Sequence, residues 1–115
     1  MITTLFGIPN CDTVKKARRW LEERDIAYAF HDVRADGISR DRIERWADAA
    51  DWHSLLNKRS ATFRQLPDKE RVVQDRAAAI DAMLQHPTLI KRPVVEHGNR
   101  VLVGFSVSEW ENVLC

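Results

Sequence analysis

The sequence predicts an α/β domain, 1–115, in which a strand-helix-strand half and a strand-strand-helix half are separated by an inserted helical segment at 38–86. Three observations carry that expectation. The short apolar run Ile2 to Ile8 stops at Pro9-Asn10 and passes at once into a helical pattern. The stretch RPVVEHGNRVLVG sets Gly98-Asn99 between two apolar runs. Between these two regions the apolar period stays helical.

The elements follow in order. Ile2 to Ile8 is a buried strand closed by a turn, and Cys11 to about Arg24 is an amphipathic helix. Val14, Ala17, Trp20 and Leu21 lie on its apolar side, with Lys15, Lys16, Arg19, Glu22 and Glu23 opposite. Asn10 or Asp12 is the expected cap. Ile26 to Val33 alternates as a second strand, so the first half is a βαβ unit with parallel strands and a right-handed crossover. In the insertion, Ile43, Trp46, Ala47 and Ala50 form one helical face. Trp52 to Leu56 follows the capping Asp51, and Ala77, Ile80, Met83 and Leu84 form a further face. Val94 to Glu96 and Val101 to Val103 make an antiparallel hairpin. A last helix begins at a capping box, Ser106 with Glu109, and presents Val107, Trp110, Val113 and Leu114. This order is that of a thioredoxin-like fold with an inserted helical subdomain.

Composition bounds the function. Eighteen basic and seventeen acidic residues leave a net charge of +1, so no overall field points to nucleic acid or an anionic membrane. No apolar run reaches the roughly 20 residues of a bilayer span, and the start MITTLFG lacks the pattern of a signal peptide. A cytoplasmic monomer is the expectation. His31, His53, His86 and His97 are scattered without metal-ligand spacing, so no metal site is expected, and Trp20, Trp46 and Trp110 read as core. The locally basic stretch Lys58 to Arg71 has only Phe63 among its charges, a poor match to a nucleic-acid surface.

The chemistry concentrates in LFGIPNCDTVKKARR, where Cys11 stands at the start of a helix and Val14 occupies the place of a second thiol in a C-x-x-C pair. A thiol there faces unpaired backbone N–H groups and the positive end of the helix dipole, which favour the thiolate and also attract anions. The dipole supplies about 0.3–1 kcal/mol, less than the roughly 1.4 kcal/mol that one pKa unit represents, so a cation must assist. Lys15, one turn along, is the local candidate, and Lys16 is less well aimed. Against this stands the plainer reading of Cys11 as a small buried hydrophobe beside a solvated KKARR face.

The run Cys11-Asp12-Thr13-Val14-Lys15-Lys16-Ala17-Arg18-Arg19-Trp20 is followed by Leu55-Leu56-Asn57-Lys58-Arg59, Ile90-Lys91-Arg92-Pro93 and Leu102-Val103-Gly104-Phe105-Ser106. Together these motifs resemble the ArsC/Spx, or arsenate reductase-like, family, and within it the YffB branch. The resemblance spans the chain. It implies a thioredoxin-like fold, Cys11 as nucleophile and a cis peptide before Pro93. In such a fold the end of the first strand, the start of the third and the end of the fourth share an edge. Cys11, Arg92-Pro93 and Gly104-Phe105-Ser106 would then converge, with Arg92 as the assisting cation and a planar fork for a thiolate, carboxylate or oxyanion. An ion pair of Arg92 with Asp12 or another acid is the plainer alternative. Asn10, Asp12, Thr13, Lys15, Pro93, Phe105 and Ser106 complete the expected substrate site, and the resemblance places Arg59 of the insertion over it.

Two departures shape the expected reaction. Phe105 stands where the arsenate reductases carry a further arginine, and Val14 removes the C-x-x-C switch of Spx-type regulators. Cys115 ends a helix that runs away from the edge, beyond disulfide reach of Cys11. A single activated thiol needs an outside partner, and glutathione is the expected co-substrate, with no tightly bound cofactor. The expected activity is therefore a glutathione-dependent thiol reductase acting on a protein disulfide or an oxyanion. The alternatives are a glutaredoxin-dependent arsenate reductase and an Spx-like adaptor on RNA polymerase.

Overall fold

A computed structural model describes residues 2–115. Its elements run β1 (Thr3–Gly7), α1 (Asp12–Glu23), β2 (Ala29–Asp32), α2 (Arg40–Ala49), α3 (Trp52–Leu55), α4 (Ala61–Gln65), α5 (Arg76–Gln85), β3 (Val94–His97), β4 (Arg100–Val103) and α6 (Val107–Leu114). Short 3-10 turns lie at Asp68–Arg71 and Pro87–Leu89. The chain divides into two compact units, a sheet unit comprising the chain up to Asp36 and from Arg92 onward, and a helical unit, Gly37–Lys91. No helix among the described residues is long and apolar enough to cross a membrane.

The sheet unit is a mixed four-stranded sheet of order β2-β1-β3-β4. β1 pairs in parallel with β2 and antiparallel with β3, which pairs antiparallel with β4, as the thioredoxin-like expectation requires. Leu5, Val95 and Leu102 pack with Val14, Ala17, Trp20 and Leu21 of α1 and Trp110 of α6 in one buried cluster. The apolar stripe of α1 thus does what its spacing predicts. Trp110 is the keystone: its ring meets Trp20 edge-on at 5.7 Å and Phe105 at 4.8 Å, and its Nε1–H donates to the Gly104 carbonyl at 3.1 Å. Gly7 allows α1 to sit close to β1, since a Cβ there would lie 2.7 Å from Cγ2 of the fully buried Val14.

Several local expectations are corrected. Cys11 itself is the N-cap of α1, and neither Asn10 nor Asp12 caps it. Ser106 is the N-cap of α6, but its side chain makes no capping hydrogen bond; its Oγ lies 3.3 Å from that of Ser108, so the capping box does not form. Val107 is exposed, and Trp110 alone of that helix is fully withdrawn from solvent. The Gly98-Asn99 turn stands as read, with Gly98 at φ 60°, where a side chain would be strained.

Within the helical unit, Ile43, Trp46 and Ala47 of α2, Leu55, and Ile80 and Met83 of α5 are buried. The buried face of α5 includes Ala79 rather than the expected Ala77, which is exposed, while Leu84 is half-buried. α4 was not apparent in the sequence; it starts on a cap, Ser60, and buries none of its own residues. The segment before α4 is tied down by backbone bonds from Asn57 N–H to Leu89 C=O and from Lys91 N–H to Leu55 C=O, each 2.8 Å.

Candidate active site

Register alone assembles the edge. Phe6 pairs with Val94, and Val94 pairs with Val103. The chain therefore leaves β1 at Gly7, enters β3 after Pro93 and leaves β4 at Gly104, all at one end of the sheet. A bond from Gly104 N–H to the Pro93 carbonyl, 2.8 Å, ties the last two together. The Arg92–Pro93 peptide is cis. On the other flank, Val33 N–H donates to the Gly7 carbonyl at 3.0 Å, so β2 ends at the same level.

Cys11 lies in the loop that rises from this edge. Its backbone is extended at φ −125°, its carbonyl accepts the Lys15 N–H at 2.9 Å, and its side chain takes no part in capping. It is a free thiol, half-buried, packed like Phe105 against the cluster that holds Trp20 and Trp110. The first-turn amides of α1 are thus left to whatever approaches the thiol. Val14 answers the question of the missing second cysteine in structural terms. Position 14 is fully buried against Gly7 and belongs to the core.

The expected site residues divide between the units. Asn10, Asp12, Thr13 and Lys15 are exposed around the start of α1, and Ser106 is exposed at the start of α6. Arg92 is half-buried, Pro93 is buried, and Phe105 is half-buried with its ring against Trp110. All of these belong to the sheet unit, whereas Arg59 belongs to the helical unit. There Arg59 is exposed, its N–H donating to Asn57 Oδ1 at 3.1 Å in the turn before α4. Cys115 closes α6 as an exposed free thiol.

The KKARR face is not uniformly solvated. Arg18 lies over the Phe30 ring, 4.1 Å from its centroid, and its Nε donates to the Tyr28 hydroxyl at 2.9 Å. That hydroxyl donates to Glu22 Oε2 at 2.8 Å, and burial pushes the phenol above its ordinary range. Lys15 and Arg19 are exposed and, with Pro9, Arg18 and Glu22, line an open cleft of about 430 Å³. A second hollow of about 440 Å³ shares Pro9 with it and is lined by Ile8, Pro9, Asn10, Asp32, Arg34 and Ala35. Sequence reading missed that hollow, although D-x-R-x-D after a strand is a usable sign of a side-chain-closed turn.

The histidines have local roles. His97 Nδ1 lies 2.7 Å from Thr3 Oγ1, His31 rests against the Phe6 ring, and His53 meets Asp51. His86 Nε2 lies 3.9 Å from Glu70 in the helical unit.

Comparison with known proteins gives a consistent answer. The profile of the ArsC family matches residues 6–113. An uncharacterized protein of Haemophilus influenzae is 38% identical over 94% of this chain and 95% of its own length. The solved YFFB protein superposes with a TM-score of 0.94 at 45% identity, covering 98% of this chain and 99% of that one. The global transcriptional regulator Spx of Streptococcus mutans is 26% identical over 94% of this chain and 80% of its own.

Proposed function

The chain belongs to the ArsC family, and from that premise we propose that it is a glutathione-dependent thiol-disulfide oxidoreductase with Cys11 as its nucleophile. The observation that carries this reading is the position of Cys11. It is an uncapped helix N-cap at the sheet edge shared with the cis Arg92–Pro93 peptide.

The Cys11 thiolate attacks the glutathionyl sulfur of a glutathionylated thiol. The new bond joins Cys11 to the glutathionyl sulfur as the old S–S bond breaks, and the expelled thiolate takes a proton from water. A second glutathione thiolate then attacks that glutathionyl sulfur. Cys11 returns as thiolate and oxidised glutathione leaves, so two glutathione-derived electrons reduce the substrate. The first-turn amides of α1 and the Arg92 guanidinium hold the negative charge that moves along the three sulfurs.

Phe105 bears on substrate choice. Its ring is committed to the aromatic cluster and offers no charge to a tetrahedral oxyanion. Slow or absent arsenate turnover is the expected result. The likeness to Spx regulators supports a second reading, an adaptor on a protein partner such as RNA polymerase. The buried Val14 opposes a dithiol switch of the C-x-x-C kind in that reading.

The test is intact-protein mass spectrometry after exposure to oxidised glutathione, set beside arsenate with glutathione and glutaredoxin. A glutathione adduct on Cys11, lost in Cys11→Ser, is expected. Adduct on Cys115 alone, efficient arsenite production, or tight RNA polymerase capture indifferent to Cys11→Ser would overturn the choice. In the same assay Arg92→Ala should slow exchange about 10- to 100-fold, matching the 1.5–3 kcal/mol of hydrogen bonds to a charged group, and Lys15→Ala should slow it less. Equal rates for wild type and Arg92→Ala would remove Arg92 from the mechanism.

A further inference from the structure

We infer that the hollow beyond the carboxyl ends of β1 and β2 is a carboxylate subsite of the Cys11 centre, with Arg34 receiving the glycine carboxylate of a glutathionyl group. The inference deepens, and rests on, the reading of Cys11 as the nucleophile.

Position comes first. β1 and β2 are the parallel pair, Gly7 pairs with Asp32, and the hollow opens where both strands end, the usual place for a ligand in an α/β sheet. One lining residue, Asn10, is the immediate neighbour of Cys11. The strand that leads to Cys11 has β2 on one side and β3 on the other. The hollow therefore lies on the β2 side of the strand that leads to Cys11, and the Pro93 turn on its β3 side. At about 440 Å³ the hollow falls within the roughly 300–1,000 Å³ of small-ligand sites.

Charge and rigidity come next. Arg34 is the one cation among the lining residues, and it is exposed. Asp32, the acid beside it, is already engaged with the backbone: its Oδ1 accepts from Arg34 N–H at 2.8 Å and Ala35 N–H at 3.1 Å. Asp36 closes the turn from the other end, its N–H donating to the Asp32 carbonyl at 2.8 Å and its Oδ2 accepting the Asp32 N–H at 3.1 Å. The turn that carries Arg34 is thus held by four hydrogen bonds, none of which uses the guanidinium.

The balance of these charges selects the ligand. A singly charged carboxylate matches the guanidinium fork, with two parallel N–H donors to its two oxygens. A multiply charged oxyanion would meet one arginine and the nearby Asp32 carboxylate, a poor exchange for its hydration. Ile8, Pro9 and Ala35 supply apolar wall for the methylenes of a peptide-like thiol.

The test uses the full chain and S-methylglutathione, which cannot form a disulfide with Cys11. Its affinity is measured by amide-shift titration for wild type, Arg34→Ala and Arg34→Lys, and repeated with the analogue whose glycine carboxylate is an amide. Arg34→Ala should weaken the acid about tenfold or more, the scale of a charge-assisted pair, with partial recovery in Arg34→Lys. The amide should bind wild type and Arg34→Ala alike, and the wild-type shifts should include residues 8–10 and 32–35. Unmeasurable binding to wild type, equal affinities of the acid for wild type and Arg34→Ala, or shifts elsewhere alone would overturn the subsite. Exposure to oxidised glutathione separates the two readings. A Cys11 adduct formed equally fast in wild type and Arg34→Ala, with equal affinities, sinks the subsite and leaves the nucleophile standing. Arg34-dependent binding without any Cys11 adduct sinks the nucleophile and leaves the subsite.

Discussion

The two units begin their helices in opposite ways. In the helical unit, Ser39, Asp51, Ser60 and Asp75 each accept a first-turn backbone N–H into a side-chain oxygen, at 3.2, 3.3, 3.2 and 2.9 Å. In the sheet unit, α1 and α6 start at Cys11 and Ser106 with no side-chain cap. Short helices gain little from their own propagation, and α3 and α4 have only four and five residues, so caps matter most there. The sheet unit holds its helices by packing onto strands. It can leave both helix starts open, and both lie at the edge where the thiol stands. Helix starts in the helical unit are completed by side chains of the chain itself, and the two in the sheet unit are not.

The largest expected effect strikes the packing side of this contrast. Trp110→Ala removes the ring shared by Trp20 and Phe105 and orphans the Gly104 carbonyl. It should cost about 3–5 kcal/mol, the range for large aromatic truncations, read as a fall in the urea midpoint. Trp110→Phe keeps most of the ring contact and should cost markedly less. A loss under about 1 kcal/mol for Trp110→Ala would mean that the sheet unit does not depend on this cluster.

The intermediate effect compares caps directly. Ser39→Ala and Ser60→Ala should each cost about 1 kcal/mol, while Ser106→Ala, whose hydroxyl caps nothing, should fall within about 0.5 kcal/mol of wild type. Amide exchange across the first turns of α2, α4 and α6 measures each locally. Equal costs at all three sites would erase the distinction between closed and open helix starts.

What the sequence revealed follows the same divide. The apolar period of α1, the alternation in the strands and the Gly98-Asn99 turn are local signals, and each predicted its element. Asp51 was legible as a cap because it directly precedes an apolar helical run. The caps assigned to Asn10 or Asp12 and to the Ser106–Glu109 pair failed for one reason. Residue type shows what a side chain is able to accept, while the backbone around Cys11 and Ser106 decides that it does not. α4 escaped notice because it buries no residue of its own and so writes no apolar period. The Arg34 turn escaped for a related reason: its meaning lies in the parallel register of Gly7 with Asp32, which joins segments distant in the chain.

The smallest expected effect tests one cap through pH. The hydrogen bond from His53 holds the Asp51 carboxyl below its ordinary 3.8, and the capping bond from the His53 backbone acts in the same direction. A carboxyl lowered in the folded state contributes stability that is present above its unfolded value. That contribution is lost as pH falls through the folded value. The window therefore lies in acid, below 3.8, and neutral pH should show the full contribution. Because both side chains are exposed, the ion-pair part should weaken further in salt. Asp51→Asn keeps a capping oxygen but cannot titrate, so its deficit in urea midpoint against wild type should shrink steadily between about pH 5 and pH 2. His53→Ala separates the two causes. Carbon-detected titration of the Asp51 carboxyl should then show a midpoint that rises toward 3.8 without reaching it, since the backbone bond remains. A midpoint unmoved by His53→Ala would assign the whole effect to the cap, and the helical unit would owe this helix start to its backbone bond alone.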